Sequence, residues 1–391
     1  MTTRSMRNAT VTGAVLMVLM GATLSWGAVP ASAAENAPVS WESAALDLPT
    51  AHQATQGEGV TVAVLDTGIN PDHPALKDRV TKVGPDFYEL AGLEPGNSGY
   101  GVHGTAMVSD VLKVAPKAKI VTARVIDDEH DDFSGDVESL KDGVSPIAKG
   151  IDFALENDAD VISLSVGGGV VNELRGEELA AAARAVQKGV TLLAGAGNMG
   201  DEGNEGNFPA GLANVISVAA TKPGGQRADF STVRTHNTIA APGVDIISAD
   251  KDGGYRPVDG TSPATALAAG VTALMLAENP DLTPAQTRAI LMRTADHPAG
   301  GHNALVGAGQ INAAAAVRAA DSPPKIDTAP KPYKGDVEHF ASPTGTDKIS
   351  HPAMETELLA TGLGALGCGV LFVAGGGLLL FRKSRRQRAA V

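Results

Sequence analysis

The sequence predicts an α/β fold with three layers, in which a mostly parallel central sheet is covered on both faces by helices, and one C-terminal transmembrane helix is added. Short apolar runs recur along residues 59–221, and helix-like stretches alternate with them. Strands that are apolar throughout are typical of a parallel sheet that is buried on both faces. A much longer apolar segment close to the carboxyl terminus predicts the membrane span.

The predicted elements follow one another in a regular order. The run "GVTVAVLDTGI" predicts a first buried strand that ends at Asp66, and "KAKIVTARVID" predicts another. A helix-like stretch from residue 145 leads into a strand over 161–166. The same unit repeats in "EELAAAARAVQKGVTLLAGAGN", and "NVISVAAT" predicts one more strand. Because active sites in such sheets gather at the carboxyl ends of the strands, the loops there are the places to search for chemistry.

Composition limits the possible functions. With 391 residues and 43% hydrophobic content, the chain can form one large domain or two small ones. The net charge of -13 argues against a nucleic-acid-binding protein, which would need a basic face. A single cysteine excludes an internal disulfide.

The amino terminus predicts a signal peptide over residues 1–33. Arg4 and Arg7 precede an apolar run from Val11 to Leu24, and Ala31-Ser32-Ala33 forms a small-residue cleavage site. An uncleaved anchor is the alternative, but the run is too short to span a bilayer comfortably. Residues 34–54 would then form a short extension before a folded domain over 55–320.

The carboxyl terminus predicts a membrane anchor. A Pro-rich linker over 321–356 precedes a predicted transmembrane helix over 357–381, which has no charged residue from Leu358 onward, and five basic residues lie in the tail 382–391. About 20 apolar residues cross a bilayer, and a basic flank favours the cytoplasmic side. A buried core helix is the alternative. The two termini together predict a single-pass protein of the cell membrane with its folded domain outside the cell.

Three residues at predicted strand and helix ends are candidates for catalysis, although each also has a simpler interpretation. Asp66 directly follows an apolar strand, where an Asp is also a common turn former. His103 begins a helix pattern, where a histidine is often a surface or capping residue. Ser262 lies where a helix N-cap is expected, with Pro263 at the first helical position.

Taken together, these residues follow the Asp, His, Ser order of one known triad arrangement. The strings "VAVLDTGI", "HGT" and "GTSPAT" resemble the three signatures of the subtilisin-like serine proteases, or subtilases. Further similar strings are "VAPKAKI", "VISLSVGG", "GAGN", "AAPGVDI" and "GAGQINAAAAV". The resemblance extends over about residues 48–317.

The resemblance implies a role for each matched residue. Ser262 would be the nucleophile of a serine endopeptidase, His103 the general base, and Asp66 the group that orients the histidine. Asn198 would donate to the oxyanion beside the backbone N–H of Ser262. The polypeptide substrate would lie as an extra strand between two backbone segments. One segment is Ser165, Val166 and Gly167, and the other is Gly195, Ala196 and Gly197. Asn207 would be a polar residue of the pocket beside them.

Some features depart from the usual subtilase pattern. The segment from His103 to Pro116 is short, which leaves little room for a calcium-binding loop, so neither a metal nor another cofactor is predicted. Ala266 stands where a proline is usual. Residues 34–54 are too few for a large inhibitory pro-domain. The acidic stretch Asp127–Ser139 could bind a cation or be a solvated charged loop.

The predicted domain order is similar to that of the mycosins, the membrane-anchored subtilases of type VII secretion systems, and it implies secretion-system membrane proteins as partners. The chain departs from that group by having no cysteine outside the predicted membrane span. A non-catalytic structural or binding component of a membrane complex is the alternative function. A receptor or adhesin ectodomain is a third, against which the triad argues.

Overall fold

A seven-stranded parallel sheet forms the centre of the protein. The computed structural model describes residues 41–88, 100–126, 144–166, 176–206 and 208–326. The strand order is β2-β3-β1-β4-β5-β6-β7, and every neighbouring pair is parallel. The strands are β1 Thr61–Asp66, β2 Val80–Asp86, β3 Lys119–Arg124, β4 Val161–Leu164, β5 Thr191–Gly195, β6 Val215–Thr221 and β7 Ile239–Pro242. The predicted α/β class with a mostly parallel sheet is therefore confirmed.

Helices cover both faces of this sheet. They are α1 Trp41–Ala45, α2 Leu48–Ala51, α3 Val102–Val114, α4 Pro146–Glu156, α5 Gly176–Gln187, α6 Thr261–Glu278, α7 Pro284–Thr294 and α8 Ala313–Ala320. Val62 and Val64 of β1 belong to the same apolar core as α3 and α6. Ala63 and Leu65 belong to the core formed with α4 and α5 on the opposite face. Because successive strand side chains point to opposite faces, a strand buried on both sides is apolar throughout.

The apolar pattern did not predict four of the strands. β2 at one sheet edge is largely exposed and polar, and β7 at the other edge has only four residues. β8 Ile246–Ala249 and β9 Tyr255–Val258 form a separate antiparallel pair. These strands are too short or too polar to produce a continuous apolar run.

Part of the predicted N-terminal extension packs against the folded domain. The Trp41 indole N–H donates to the carbonyl of Val244 at 2.9 Å. The Ala313 N–H, at the start of α8, donates to the carbonyl of Leu46 at 2.8 Å. Lys113 Nζ of α3 lies 2.6 Å from Glu42 Oε1 of α1. These contacts join α1 and the residue that follows it to α3, to the start of α8 and to the segment after β7.

The predicted signal peptide, acidic loop, membrane helix and basic tail, with nearly all of the Pro-rich linker, lie outside the described residues. Among the helices that the structure describes, none combines the length and the apolar character needed to cross a bilayer.

Candidate active site

Asp66 and His103 form the polar centre of the site. Asp66 is the last residue of β1 and its side chain is fully buried. His103 lies in the first turn of α3, and its Nδ1 is 2.7 Å from Asp66 Oδ1. The same oxygen accepts the Thr67 N–H at 2.8 Å. Because an ionised carboxylate only accepts hydrogen bonds, Nδ1 carries the proton and the lone pair of the neutral ring lies on Nε2.

Gly104 allows α3 to approach β1 this closely. A Cβ atom at this position would lie 2.0 Å from the carbonyl oxygen of Gly68 and 3.3 Å from Asp66 Cβ. The Gly104 N–H donates to Thr67 Oγ1 at 3.1 Å. The glycine in "HGT" is therefore a packing requirement that brings the imidazole within hydrogen-bond distance of the carboxylate.

Ser262 lies in the first turn of the central helix α6, but it is not the N-cap that the sequence predicted. Gly260 is the cap, α6 begins at Thr261, and Ser262 is its second residue. The Ser262 hydroxyl donates to the carbonyl of Ser165 at 3.3 Å instead of bonding to the helix backbone. The predicted helix start was two residues late, because glycine can cap a helix without a side chain and Thr261 already has helical geometry.

The backbone around Ser262 is fixed by neighbouring strands. The Ser165 hydroxyl, just beyond β4, donates to the Ser262 carbonyl at 3.0 Å. A Cβ atom at Gly195, the end of β5, would lie 2.9 Å from Thr261 Oγ1. The first turn of α6 is therefore seated directly against the carboxyl ends of two parallel strands.

Asn198 is exposed and its side-chain amide is held in one orientation. Its Oδ1 accepts the Thr261 N–H at 2.9 Å and the Thr261 hydroxyl at 3.1 Å, which leaves the Nδ2 group as the outward donor. The Ser262 N–H is in the first turn of α6, where backbone N–H groups have no intrahelical acceptor. A single point, the position of a Cβ built on Gly260, lies 3.5 Å from Ser262 N and 3.7 Å from Asn198 Nδ2. Two hydrogen-bond donors thus lie within 4 Å of one point, an arrangement that suits the stabilisation of a negative charge there.

The predicted substrate-binding segments lie at the ends of adjacent strands. Ser165 and Val166 follow β4, while Gly195 ends β5 and Ala196 and Gly197 follow it. Since β4 and β5 are parallel partners, the two segments leave the same edge of the sheet. Gly167 and Asn207 lie outside the described residues.

Some backbone groups of the second segment are already used within the protein. The Ala196 N–H donates to the Val218 carbonyl at 2.9 Å, and the Gly197 N–H donates to Thr261 Oγ1 at 3.2 Å. The Gly197 carbonyl accepts the Thr232 N–H at 2.9 Å. These bonds hold the segment in a defined position beside Asn198.

Thr261 is a site residue that the sequence analysis did not identify. It contacts Asn198 through both its N–H and its hydroxyl, and it accepts the Gly197 N–H. The available signal was a hydroxyl residue between the helix cap and Ser262. Within the described residues, no group of three His, Cys, Asp or Glu side chains is close enough to hold a metal ion.

Comparison with known proteins places this geometry in a family. The subtilase family model matches residues 57–309. Subtilisin NAT of Bacillus subtilis subsp. natto is 34% identical over 281 residues, which cover 69% of this chain and 69% of that protein.

Two solved structures are also similar. The MycP3 protease from the type VII (ESX-3) secretion system has a TM-score of 0.61 at 27% identity, with 72% of this chain and 88% of that chain covered. MycP1 from the ESX-1 type VII secretion system has a TM-score of 0.58 at 27% identity, with 72% and 86% covered. The chain belongs to the subtilase family and is a subtilisin-like serine protease, a hydrolase of peptide bonds.

Proposed function

We propose that the protein is a membrane-anchored extracellular endopeptidase that cleaves polypeptides through Ser262, His103 and Asp66 and an acyl-enzyme intermediate. The observation that carries the proposal is the 2.7 Å bond between His103 Nδ1 and the buried Asp66, formed beside the helix that bears Ser262. That bond orients the ring with its basic Nε2 available for the serine proton.

In the first step, the Ser262 hydroxyl turns from the Ser165 carbonyl to His103 and loses its proton to Nε2. The serine oxygen bonds to the carbonyl carbon of the substrate, and the carbonyl oxygen becomes an oxyanion. Asn198 Nδ2 and the Ser262 N–H stabilise that charge. Loss of one such side-chain donor, as measured in subtilisin itself, lowers kcat by a factor of about 10²–10³.

In the second step, the imidazolium gives its proton to the leaving amine as the C–N bond breaks. Water, activated by the same histidine, then hydrolyses the acyl-serine ester and restores the enzyme. The peptide would bind as an added strand along residues 165–167 and 195–197, with Asn207 at the primary specificity pocket.

The proposed location rests on the termini. The predicted signal peptide over residues 1–33 and the predicted membrane helix over 357–381, followed by basic residues, support export and anchoring with the catalytic domain outside the cell. The structural similarity to MycP3 and MycP1 supports a mycosin-like role in processing secreted proteins beside secretion-system membrane proteins.

A membrane-impermeant fluorophosphonate probe tests both catalysis and orientation. We expect it to label the full-length protein on intact cells, with mass spectrometry locating the label on Ser262. Ser262→Ala should abolish labelling and His103→Ala should reduce it by at least about 10³-fold, because an unactivated serine is a weak nucleophile. Ser322→Ala, which removes an exposed serine, is the control and should label normally.

The outcomes separate the parts of the proposal. Undiminished labelling of Ser262→Ala would overturn the catalytic assignment. Labelling only after lysis would overturn the orientation. A folded wild-type protein that takes no label and cleaves no peptide would favour the non-catalytic structural component.

A further inference from the structure

A buried arginine lies on the strand next to the Asp66–His103 pair. Arg124 is the last residue of β3, and its side chain is only 1% exposed. In the parallel ladder its Cα is the register partner of Asp66 on β1. Neighbouring strands lie about 4.8 Å apart, and register partners project to the same face. The cation and the catalytic carboxylate thus share one face of the sheet.

The assignment of faces is supported by the packing of the same strands. Val64 on β1 and Ile120 on β3 belong to the core that contains α3 and α6. Asp66 and Arg124 follow these residues by two and four positions, so they lie on that same face. This is the face on which α3 carries His103.

Asp66 and Arg124 each have buried polar atoms without a described hydrogen-bond partner. Asp66 Oδ1 is bonded to His103 and Thr67, whereas Asp66 Oδ2 is buried and has no hydrogen-bond partner among the described contacts. Arg124 Nε and Nη2 are buried without an acceptor there as well. Burying a carboxylate is costly unless a positive charge is close, and Arg124 is the cation on the adjacent strand.

The guanidinium of Arg124 is held in place from three sides. Its Nη1 forms a 2.6 Å ion pair with Asp86 of β2, whose side chain is 30% exposed. The rings of Tyr88 and Tyr100 lie 5.3 Å and 5.5 Å from its Cζ. Both ring distances are within the range of cation–π attraction.

Tyr100 connects this cluster to the start of α3. A Cβ atom at Gly68 would lie 2.5 Å from the Tyr100 ring, so the ring is packed on the turn after β1. The next residue, Gly101, is the N-cap of α3 with φ 74°. Arg124 is therefore in contact with the segment that sets the position of His103.

We propose that Arg124 is a positioning residue for the catalytic pair: its fixed charge disfavours the imidazolium form of His103, and its contact with Tyr100 supports the start of α3. The inference rests on the proposed function of Asp66, His103 and Ser262. Among the residues that the structure describes, the charged and titratable groups around His103 are Asp66 from β1, Arg124 from β3, Asp86 from β2, and Tyr88 and Tyr100. The first turn of α6 contributes no acidic side chain.

The test is the pH dependence of the rate at which a fluorophosphonate inactivates the full-length protein. The acid limb of this profile reports loss of the proton from the catalytic base. Arg124→Gln should move that limb to higher pH by roughly half a unit or more, because removal of a cation stabilises the imidazolium. Arg124→Lys should restore the limb to within about 0.2 unit of the wild type, since the charge is kept.

A second variant should move the acid limb in the opposite direction. Asp86→Asn removes the negative charge on the other side of Arg124, so the acid limb should move to lower pH. Arg184→Gln is the matched control: it removes an arginine of the exposed pair with Asp152 on the far face and should not move the limb. A loss of packing alone would not shift the limb in opposite directions for the two variants.

The outcomes distinguish this inference from the proposed function. If Ser262→Ala abolishes labelling but the limb is unchanged in Asp86→Asn and in Arg124→Gln, the role of Arg124 is overturned and the triad stands. If Arg124→Gln does not fold, an unchanged limb in Asp86→Asn overturns the inference by itself. If Ser262→Ala is labelled like the wild type, the proposed function fails first.

Discussion

Thr261 lies between the helix cap Gly260 and Ser262, and it holds the side chain of Asn198 in the candidate oxyanion site. Its N–H and hydroxyl both bond to Asn198 Oδ1, and its hydroxyl oxygen accepts the Gly197 N–H. An amide whose oxygen is fixed in this way presents its Nδ2 group in one direction. Preorganised donors of this kind need no reorganisation when charge develops on the substrate.

Thr261→Val, which keeps the shape of the side chain and removes its hydroxyl, should lower kcat by about tenfold with little change in KM. The reason is that Asn198 keeps only the backbone bond and donates from a less defined position. Steady-state turnover of a peptide substrate measures the effect, and Thr261→Ser should retain most of the activity. In an Asn198→Ala background the same substitution should cause no further loss, because the two residues act as a unit. Additive losses would contradict this explanation.

At the scale of elements, the contact between helices α3 and α6 determines how His103 and Ser262 are placed relative to each other. A Cβ atom at Gly270 would lie 2.6 Å from Val114 Cβ and 2.9 Å from the Val111 carbonyl oxygen. The two helices therefore touch at a residue without a side chain. Since one helix carries His103 and the other carries Ser262, this contact sets the relation between the two groups.

Gly270→Ala should destabilise the protein by about 1–3 kcal/mol, although alanine is the better helix former by about 1 kcal/mol. The added methyl group has no space, so the helices must separate. Thermal unfolding of the full-length protein in detergent measures the effect. Gly176→Ala in α5 is the matched control, because a Cβ there meets nothing within 4 Å, and it should be neutral or stabilising. A stabilising Gly270→Ala would show that the crossing tolerates the methyl group.

At the scale of the whole molecule, a buried charge cluster joins the N-terminal segment to the core. Lys113 Nζ contacts Glu42 Oε1 at 2.6 Å and Asp110 Oδ1 at 3.2 Å. The Ser248 hydroxyl of β8 donates to Asp110. Burial raises the pKa of Asp110 to about 6, which its attraction to Lys113 opposes. The carboxyl group of Asp110 therefore titrates at a higher pH in the folded protein than in the unfolded chain.

The pH dependence of stability follows from that shift. Between about pH 4 and 6 the folded protein holds a proton on Asp110 that the unfolded chain has lost, so this residue's contribution to stability falls as pH rises. The free energy of unfolding of the wild type, relative to Asp110→Asn, should fall by up to about 3 kcal/mol from pH 4 to pH 7. Urea unfolding at the two pH values measures it, with the exposed Asp281→Asn as control. An unchanged difference would show that Asp110 does not titrate in this range.

How far the sequence predicts this molecule depends on whether a feature is local. β1, β3, β5 and β6 were predicted because each is a continuous apolar run, and Asp66 was found because it ends one of them. His103 was identified because the short string "HGT" resembles a family signature, although the packing reason for its glycine lies in the turn after β1. The strands and the short strings are both visible in consecutive residues.

The role of Arg124 could not be predicted in the same way. An arginine at a strand end has no apolar pattern, and its partner Asp86 lies on β2, an exposed polar strand that the sequence did not indicate. The contact between Thr261 and Asn198 joins positions more than sixty residues apart. Such relations depend on the order of strands in the sheet, which hydrophobic periodicity does not specify.

The burial of α6 has a practical consequence. Every residue from Pro263 to Leu276 is buried, and Ser262 stands in the first turn of this same helix. A chain whose core has not assembled cannot hold the serine against its strand ends, so the chemistry and the core form together. The fraction of molecules labelled at Ser262 therefore also measures the fraction that is natively folded. Short pulses of the probe during refolding would measure the rate at which the core around α6 forms.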